Sequence, residues 1–259
     1  MVAWRNLALR VPIIKQWQER RDYEFFVGDI VIEAPRPPIS RGVRKSLRNN
    51  EYETAETYLV RHLVRPGNTV LDLGSGLGLT SIAAAKASGN GRVVGYEADP
   101  ILAALAEKNV RKNGVNVEIR NKAIAKEKGV CEFHVHRSFP ASSLFPFKGS
   151  KKILIEADAS QEVMDEIRPD VIACDIEGLE KEIFVGANLS SVHRLIVEVH
   201  PQVIGLLGVL KCFQDLTVSG FSLVESLCSG QVLVFGRDGS SSSIEPFNSD
   251  RQTDGKSTA

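Results

Sequence analysis

Three groups of residues have types and spacings suited to chemistry. The first is Val70-Leu71-Asp72-Leu73-Gly74-Ser75-Gly76-Leu77-Gly78, an apolar run that carries one acid and ends in alternating glycines. Glycine permits a tight turn and lets backbone approach a ligand with no Cβ in the way. A helix starting behind such a loop offers free N–H groups at its N-terminus. The second is Glu97, which ends Val93-Val94-Gly95-Tyr96. An acid about 20 residues beyond the glycines can accept hydrogen bonds from ribose hydroxyls. The third joins Asp175 and Glu177, just after an apolar strand, to Glu198 and His200, which lie two residues apart and so share one face of a strand end.

The first two groups point to a nucleoside-bearing cofactor. A nicotinamide dinucleotide is the natural rival, and three details argue against it. The glycines follow G-x-G-x-G rather than G-x-G-x-x-G, Asp72 stands inside the strand, and nothing else in the chain supplies hydride-transfer chemistry. S-adenosyl-L-methionine fits better, since it has a ribose, no pyrophosphate and two cationic centres. Asp72 would orient its ammonium end, directly or through water. Gly74, Ser75, Gly76 and Gly78 would cradle it, Glu97 would hold the ribose, and Asn121 and Ala123 would line the adenine by position.

Asp175, Glu177 and His200 form the candidate acceptor site. A sulfonium methyl group is already reactive, so the catalytic demand falls on the acceptor. A hydroxyl must lose its proton and align behind the methyl group. His200 titrates near neutral pH when unperturbed and is a reasonable base, with Asp175 as the other candidate. Glu177 and Glu180 could instead stabilise a helix N-terminus near Gly178. Asp175, Glu198 and His200 are also ligand types that suit a divalent cation, but the sequence alone assigns no metal. The other histidines, His62, His134, His136 and His193, read as surface or packing residues.

These groups need elements to position them. Tyr23 to Val27 and Ile30 to Ala34 read as a hairpin around Gly28-Asp29. Glu51 to Val64 has helical spacing of Tyr52, Ala55, Leu59 and Leu63, ended by Pro66-Gly67. Strands are then expected at Val70 to Leu73, Arg92 to Tyr96 and Val115 to Ile119, with helices at Thr80 to Ala87 and Pro100 to Asn113. Cys131 to Val135 and Ile153 to Glu156 read as short strands. Ser160 to Ile167 reads as a helix, Val171 to Cys174 as a strand and Leu179 to Val185 as a helix. Leu195 to Val199 is the next strand, Pro201 to Phe213 a helix, and Phe221 to Glu225 with Gln231 to Phe235 an antiparallel pair. Such alternation implies an α/β fold with parallel strands and right-handed crossovers. The expectation is a Rossmann-like sheet of about seven strands, mostly parallel, with one antiparallel edge strand.

Composition narrows the function classes. In 259 residues, 32 Lys and Arg balance 32 Asp and Glu, which gives no global pull toward nucleic acid or an anionic membrane. The four cysteines form no C-x-x-C pair, so zinc-type spacing is absent and reduced thiols in a cytoplasmic protein are expected. Met1 to Arg21 mixes apolar and basic residues without a long apolar core; it reads as an amphipathic surface helix, neither signal peptide nor membrane span. Asp238 to Ala259 is rich in Ser, Asp and Gly and is expected to be disordered.

Over most of Glu51 to Arg237 the chain resembles class I methyltransferases, and more narrowly the FkbM-like methyltransferases. Glu51-Tyr52-Glu53 with Glu56 is similar to that family's acidic segment. Asn121-Lys122-Ala123-Ile124, Gly129 to Val135 and Ser142-Ser143-Leu144 are similar to later elements. The most specific stretch is Asp170-Val171-Ile172-Ala173-Cys174-Asp175-Ile176-Glu177-Gly178-Leu179-Glu180, followed by Leu195-Ile196-Val197-Glu198-Val199-His200. Two departures are Ser75-Gly76, where the family has Ala-Asn, and Ala173, where it has Lys. The resemblance implies methylation of a hydroxyl on a small molecule, sugar or glycolipid. Methylation of nitrogen, protein or nucleic acid, and a non-catalytic cofactor-binding module, stay open as alternatives. Residues 1–50 are expected to form an accessory lid or homodimer surface, 51–237 the methyltransferase domain and 238–259 a tail.

Overall fold

A computed structural model describes residues 23–135 and 150–237. The expected N-terminal helix, the Ser142-Ser143-Leu144 element, His136 and the tail lie outside them. The chain opens with a hairpin, β1 (Glu24–Val27) and β2 (Ile30–Glu33), followed by helices α1 (Arg41–Asn49) and α2 (Thr54–Leu63). Then come β3 (Val70–Leu73), α3 (Leu79–Ser88), β4 (Val93–Tyr96), α4 (Pro100–Lys112), β5 (Glu118–Arg120), β6 (Ala123–Ala125), β7 (Gly129–Val135) and β8 (Lys151–Ala159). The second half comprises α5 (Ser160–Ile167), β9 (Val171–Cys174), α6 (Glu180–Ile183), β10 (Arg194–Glu198), α7 (Pro201–Val218), β11 (Ser222–Leu223) and β12 (Val232–Gly236).

The main sheet has seven strands in the order β11-β12-β10-β9-β3-β4-β5. β9, β3, β4 and β5 pair in parallel and β10 is parallel to β9, whereas β12 runs antiparallel to β10. This is the expected Rossmann-like α/β sheet, with its antiparallel strand β12 covered at the rim by the two-residue β11. The chain leaves β3 toward β4 and later returns to β9 on the other flank. That reversal of strand order leaves a crevice at the carboxyl ends of β3 and β9.

The pleat sorts side chains between two cores. Val70, Val93, Val171, Ala173 and Ile196 face the layer that includes α1 to α3. Leu71, Leu73, Val94, Tyr96, Ile172, Cys174, Leu195 and Val197 face the layer of α5 to α7. Burial on both faces explains why these strands are near-continuous apolar runs. Each fully buried large aliphatic side chain stabilises the fold by about 1.5–3 kcal/mol.

The sequence reading missed two features. α1 carries four basic residues in nine and buries only Val43 and Leu47, so its apolar stripe is thin. Its start is marked by Ser40, whose hydroxyl accepts the Val43 N–H at 3.2 Å. The second miss is β6, which joins β7 and a nine-residue β8 in a separate three-stranded sheet of order β6-β8-β7. Elsewhere the differences are of length: α6 is one turn, β11 is two residues, and α7 runs to Val218 with a break at Gly205.

The hairpin is strapped to the main core. Phe25, Ile30 and Ile32 are buried with the first layer. The free edge of β2 is met by two asparagines one turn apart on α4. Asn109 Oδ1 accepts the Glu33 N–H at 2.8 Å, Asn113 Oδ1 accepts the Val31 N–H at 2.9 Å, and Asn113 Nδ2 donates to Val31 O at 2.7 Å. These side-chain amides stand in for a neighbouring strand and satisfy backbone groups that would otherwise be orphaned.

Candidate functional site

The crevice is built from the carboxyl ends of β3, β4, β9 and β10. After β3, the glycine loop turns back under α3. Gly74 and Ser75 donate their N–H groups to Tyr96 O at 2.9 Å each, which locks the loop to the end of β4. Gly74, Gly76 and Gly78 all have positive φ, at 89°, 52° and 84°. Their reasons differ. A Cβ on Gly74 would lie 1.8 Å from Asp175 O, so this glycine exists to let the end of β9 close against the loop. A Cβ on Gly76 would reach 3.0 Å from Tyr52 Oη and 3.1 Å from Glu53 Oε1, so here the loop faces an acidic wall.

Glu97 is buried at the tip of β4. Its Oε2 accepts the Gly76 N–H at 2.7 Å and its Oε1 accepts the Asp99 N–H at 2.7 Å. A carboxylate has about four lone-pair sites, so both oxygens keep acceptor capacity. Burial pushes Glu97 up to about 8 in spite of these bonds. Asp72, on the α3 side of β3, accepts a short hydrogen bond from the Ser81 hydroxyl, and Ser75 Oγ donates to Asp72 O at 3.3 Å. Burial raises Asp72 to about 6.

The wall opposite the loop comes from the residues at and just before the start of α2, which the sequence marks by the family-like acidic segment. Glu53 sits at φ 46°, a backbone region that costs a non-glycine residue roughly 1–3 kcal/mol. Thr80 Oγ1 donates to Glu53 Oε2 at 3.0 Å. Burial pushes Glu53 to about 8. Burial also raises Glu56, to about 7, and Glu198 next to it adds to the rise through charge and a shared hydrogen bond.

On the other flank, Asp175 and Glu177 follow β9, and Glu198 and His200 end β10. His200 is 5% exposed. Its Nδ1 lies 2.8 Å from Oε1 of Glu180, which is fully buried. The same oxygen accepts the Gly178 N–H at 3.0 Å, so Glu180 both caps its turn and orients the ring. His200 Nε2 points between Asp175 Oδ1 and Glu177 Oε2, 3.5 Å from each. Glu177 is the second acid of the crevice held at positive φ, at 52°. Burial alone would lower the His200 pKa. The Glu180 hydrogen bond and the charges of Glu177, Glu180 and Glu198 outweigh it and raise the pKa above the ordinary histidine value. Burial, then Glu198 and Glu177, drive Asp175 well above the usual carboxylate range.

Among the described residues no lysine or arginine pairs with Glu53, Glu56, Asp72, Glu97, Asp175, Glu177 or Glu198; the basic group that reaches this cluster is His200.

The structure thus brings together Asp72, Gly74, Ser75, Gly76, Gly78, Glu97, Asp175, Glu177 and His200. Asn121 stands at the rim, where its Nδ2 donates to Glu97 O at 2.9 Å and Ala98 O at 3.2 Å, pinning the turn that carries Glu97. Ala123 is buried at the start of β6, paired with Ala157 in the smaller sheet. Tyr52, Glu53 and Glu56 enter the site without a spacing signal of their own; the acidic family-like segment was their only mark. Glu180 as partner of His200 has a topological signal, since both lie just beyond the ends of adjacent parallel strands.

Residues 48–135, which contain α2, the glycine loop and Glu97, match the model of the "Methyltransferase small domain" family. A ribosomal protein L11 methyltransferase from Pelotomaculum thermopropionicum is 34% identical over 106 residues, covering 41% of this chain and 32% of that protein. One from Thermus thermophilus is 49% identical over 57 residues, covering 22% of this chain and 21% of the relative. The chain thus spans about a third or less of the length of these two relatives. Among solved structures, an O-methyltransferase from Bacillus cereus in complex with SAH aligns with a TM-score of 0.46 at 16% identity, over 70% of this chain and 79% of that one. The stretch that carries the glycine loop and Glu97 is thus similar to a methyltransferase domain, which supports S-adenosyl-L-methionine as the cofactor.

Proposed function

We propose that this chain methylates a hydroxyl group on a small molecule, sugar or glycolipid, using S-adenosyl-L-methionine held over the glycine loop. The observation that carries this reading is the buried His200. Glu180 holds it on one ring nitrogen, and the other is aimed between Asp175 and Glu177 at the mouth of the crevice. The residues of the FkbM-like resemblance, Asp175 to Glu180 and Glu198 to His200, are the ones gathered there.

When bound, the cofactor supplies a methyl group already activated on a sulfonium. The remaining lone pairs of Glu97 accept hydrogen bonds from its ribose hydroxyls, with Asn121 holding the turn in place. Glu53 and Asp72 face its cationic methionine end. The cluster of His200, Asp175 and Glu177 takes the proton that an acceptor hydroxyl must lose, at His200 Nε2 or at a carboxylate oxygen beside it. Glu180 fixes the ring plane and strengthens the base, as the third member of a catalytic triad does.

A second reading is an amine acceptor on a protein, favoured by a crevice whose carboxylates have no lysine or arginine partner among the described residues and in keeping with the names of the L11 methyltransferase relatives. The test is transfer from methyl-labelled cofactor to a panel of sugar and phenol hydroxyls and of lysine-containing peptides. Labelled ethers are expected. Labelled amines alone would replace the hydroxyl reading, and tight cofactor binding with no transfer to any acceptor would leave a binding module. With a turned-over acceptor in hand, His200→Ala should lower kcat about 10²–10⁴-fold while cofactor affinity holds. An unchanged kcat would remove His200 from the mechanism.

A further inference from the structure

The acceptor side of the crevice has more ligand-type atoms than a proton relay needs. One oxygen or nitrogen from each of Asp175, Glu198 and His200 lies within 4.8 Å of the others. Among the described residues Asp175 Oδ1 is shut off from solvent and has no hydrogen-bond partner, which is costly for a carboxylate oxygen unless something else binds it. It faces His200 Nε2 across 3.5 Å, too far for a hydrogen bond. The opposite ring nitrogen is held by the fully buried Glu180 at 2.8 Å. A carboxylate on the far nitrogen is the arrangement that fixes tautomer and ring direction in metal-binding histidines.

We propose that Asp175, Glu198 and His200 Nε2 form a site for one divalent transition-metal cation, with Glu180 as the group that orients His200. Two carboxylates and an imidazole favour Mn²⁺, Zn²⁺ or Fe²⁺ over Mg²⁺ or Ca²⁺, which prefer oxygen alone. Such ions sit about 2.0–2.2 Å from each ligand atom. Small side-chain rotations would close the present spacing around one centre. The two carboxylates carry the charge that a dication neutralises, and three protein ligands leave positions open. An acceptor oxygen in one of them would be polarised and lose its proton more easily. With a cation on His200 Nε2 that nitrogen no longer takes the proton, and Glu177, outside the ligand set with Oε2 3.5 Å from it, is the carboxylate that would. The site's chemical role rests on the methyl-transfer reading, whereas cation binding does not.

The probe is Mn²⁺, added to the chelator-treated full chain without cofactor and followed by electron paramagnetic resonance. The free Mn²⁺ signal should fall with a stoichiometry of one per chain, and Glu198→Gln should weaken binding at least tenfold. Pulsed measurements on the wild-type complex should show coupling to a histidine nitrogen, a readout that needs no variant to fold. No uptake of Mn²⁺ up to millimolar concentration, unchanged binding in Glu198→Gln, or bound Mn²⁺ without nitrogen coupling would each overturn the site. Methyl transfer would survive that result, and loss of cofactor binding would leave the cation site standing.

Discussion

The two flanks of the crevice are finished to different degrees. On the cofactor flank, the glycine loop is tied to Tyr96 O by two N–H groups, and both oxygens of Glu97 are occupied by backbone donors. On the acceptor flank, among the described residues, Asp175 Oδ1 and Glu180 Oε2 are buried without a hydrogen bond. Under the proposed function, preorganisation on one side and unmet valence on the other fit a fixed cofactor seat beside a site completed by what binds there. The difference teaches where affinity and turnover separate. Changes on the first flank should read out in cofactor binding, and changes on the second in acceptor chemistry.

Joining the flanks should do the most damage. Gly74→Ala places a Cβ on Asp175 O in a left-handed conformation, so both strand ends must shift. A loss of about 3–5 kcal/mol in urea unfolding is expected. A loss under 1 kcal/mol would show that the two ends are not in contact. Glu97→Ala acts on the cofactor flank alone and should weaken S-adenosyl-L-methionine binding by about 1–3 kcal/mol in calorimetry. Unchanged affinity would remove the carboxylate from the seat.

A third effect comes from pH. Glu53 and Glu97 hold protons up to about 8 in the folded chain. An unfolded glutamate releases its proton near pH 4.3, so between about pH 4.5 and 8 the folded state binds more protons and loses stability as pH rises. The loss is about 2 kcal/mol per group between pH 6 and pH 8. A cationic cofactor prefers the ionised acids and should bind more tightly as pH rises through the same range. Melting with and without cofactor at pH 6 and pH 8 checks both signs: Tm should fall for the free chain, and the gap between the curves should widen. A free-chain Tm that rises with pH would reverse the assignment.

The sheet was legible because its strands announce themselves. Val70 to Leu73, Val171 to Cys174 and Ser160 to Ile167 fall where apolar runs and helical spacing place them. The glycine loop and Glu97 were legible as a motif because they lie on consecutive strands. The role of Gly74 was not, since its need for glycine is set by Asp175 about a hundred residues away. The pairing of Glu180 with His200 had a topological signal in the adjacent strand ends, but each residue also has a sufficient local explanation, as a helix cap and as a turn residue before Pro201. α1 escaped because two buried side chains leave no stripe, and β6 because three residues carry no period.

A crystal structure of the chain with S-adenosylhomocysteine tests the central claim most directly. The ribose hydroxyls should lie within hydrogen-bond distance of Glu97, and the sulfur should turn its open side toward Asp175 and His200. A nucleoside bound away from Glu97, or a sulfur facing protein with His200 on the far side of the sheet end, would contradict the account.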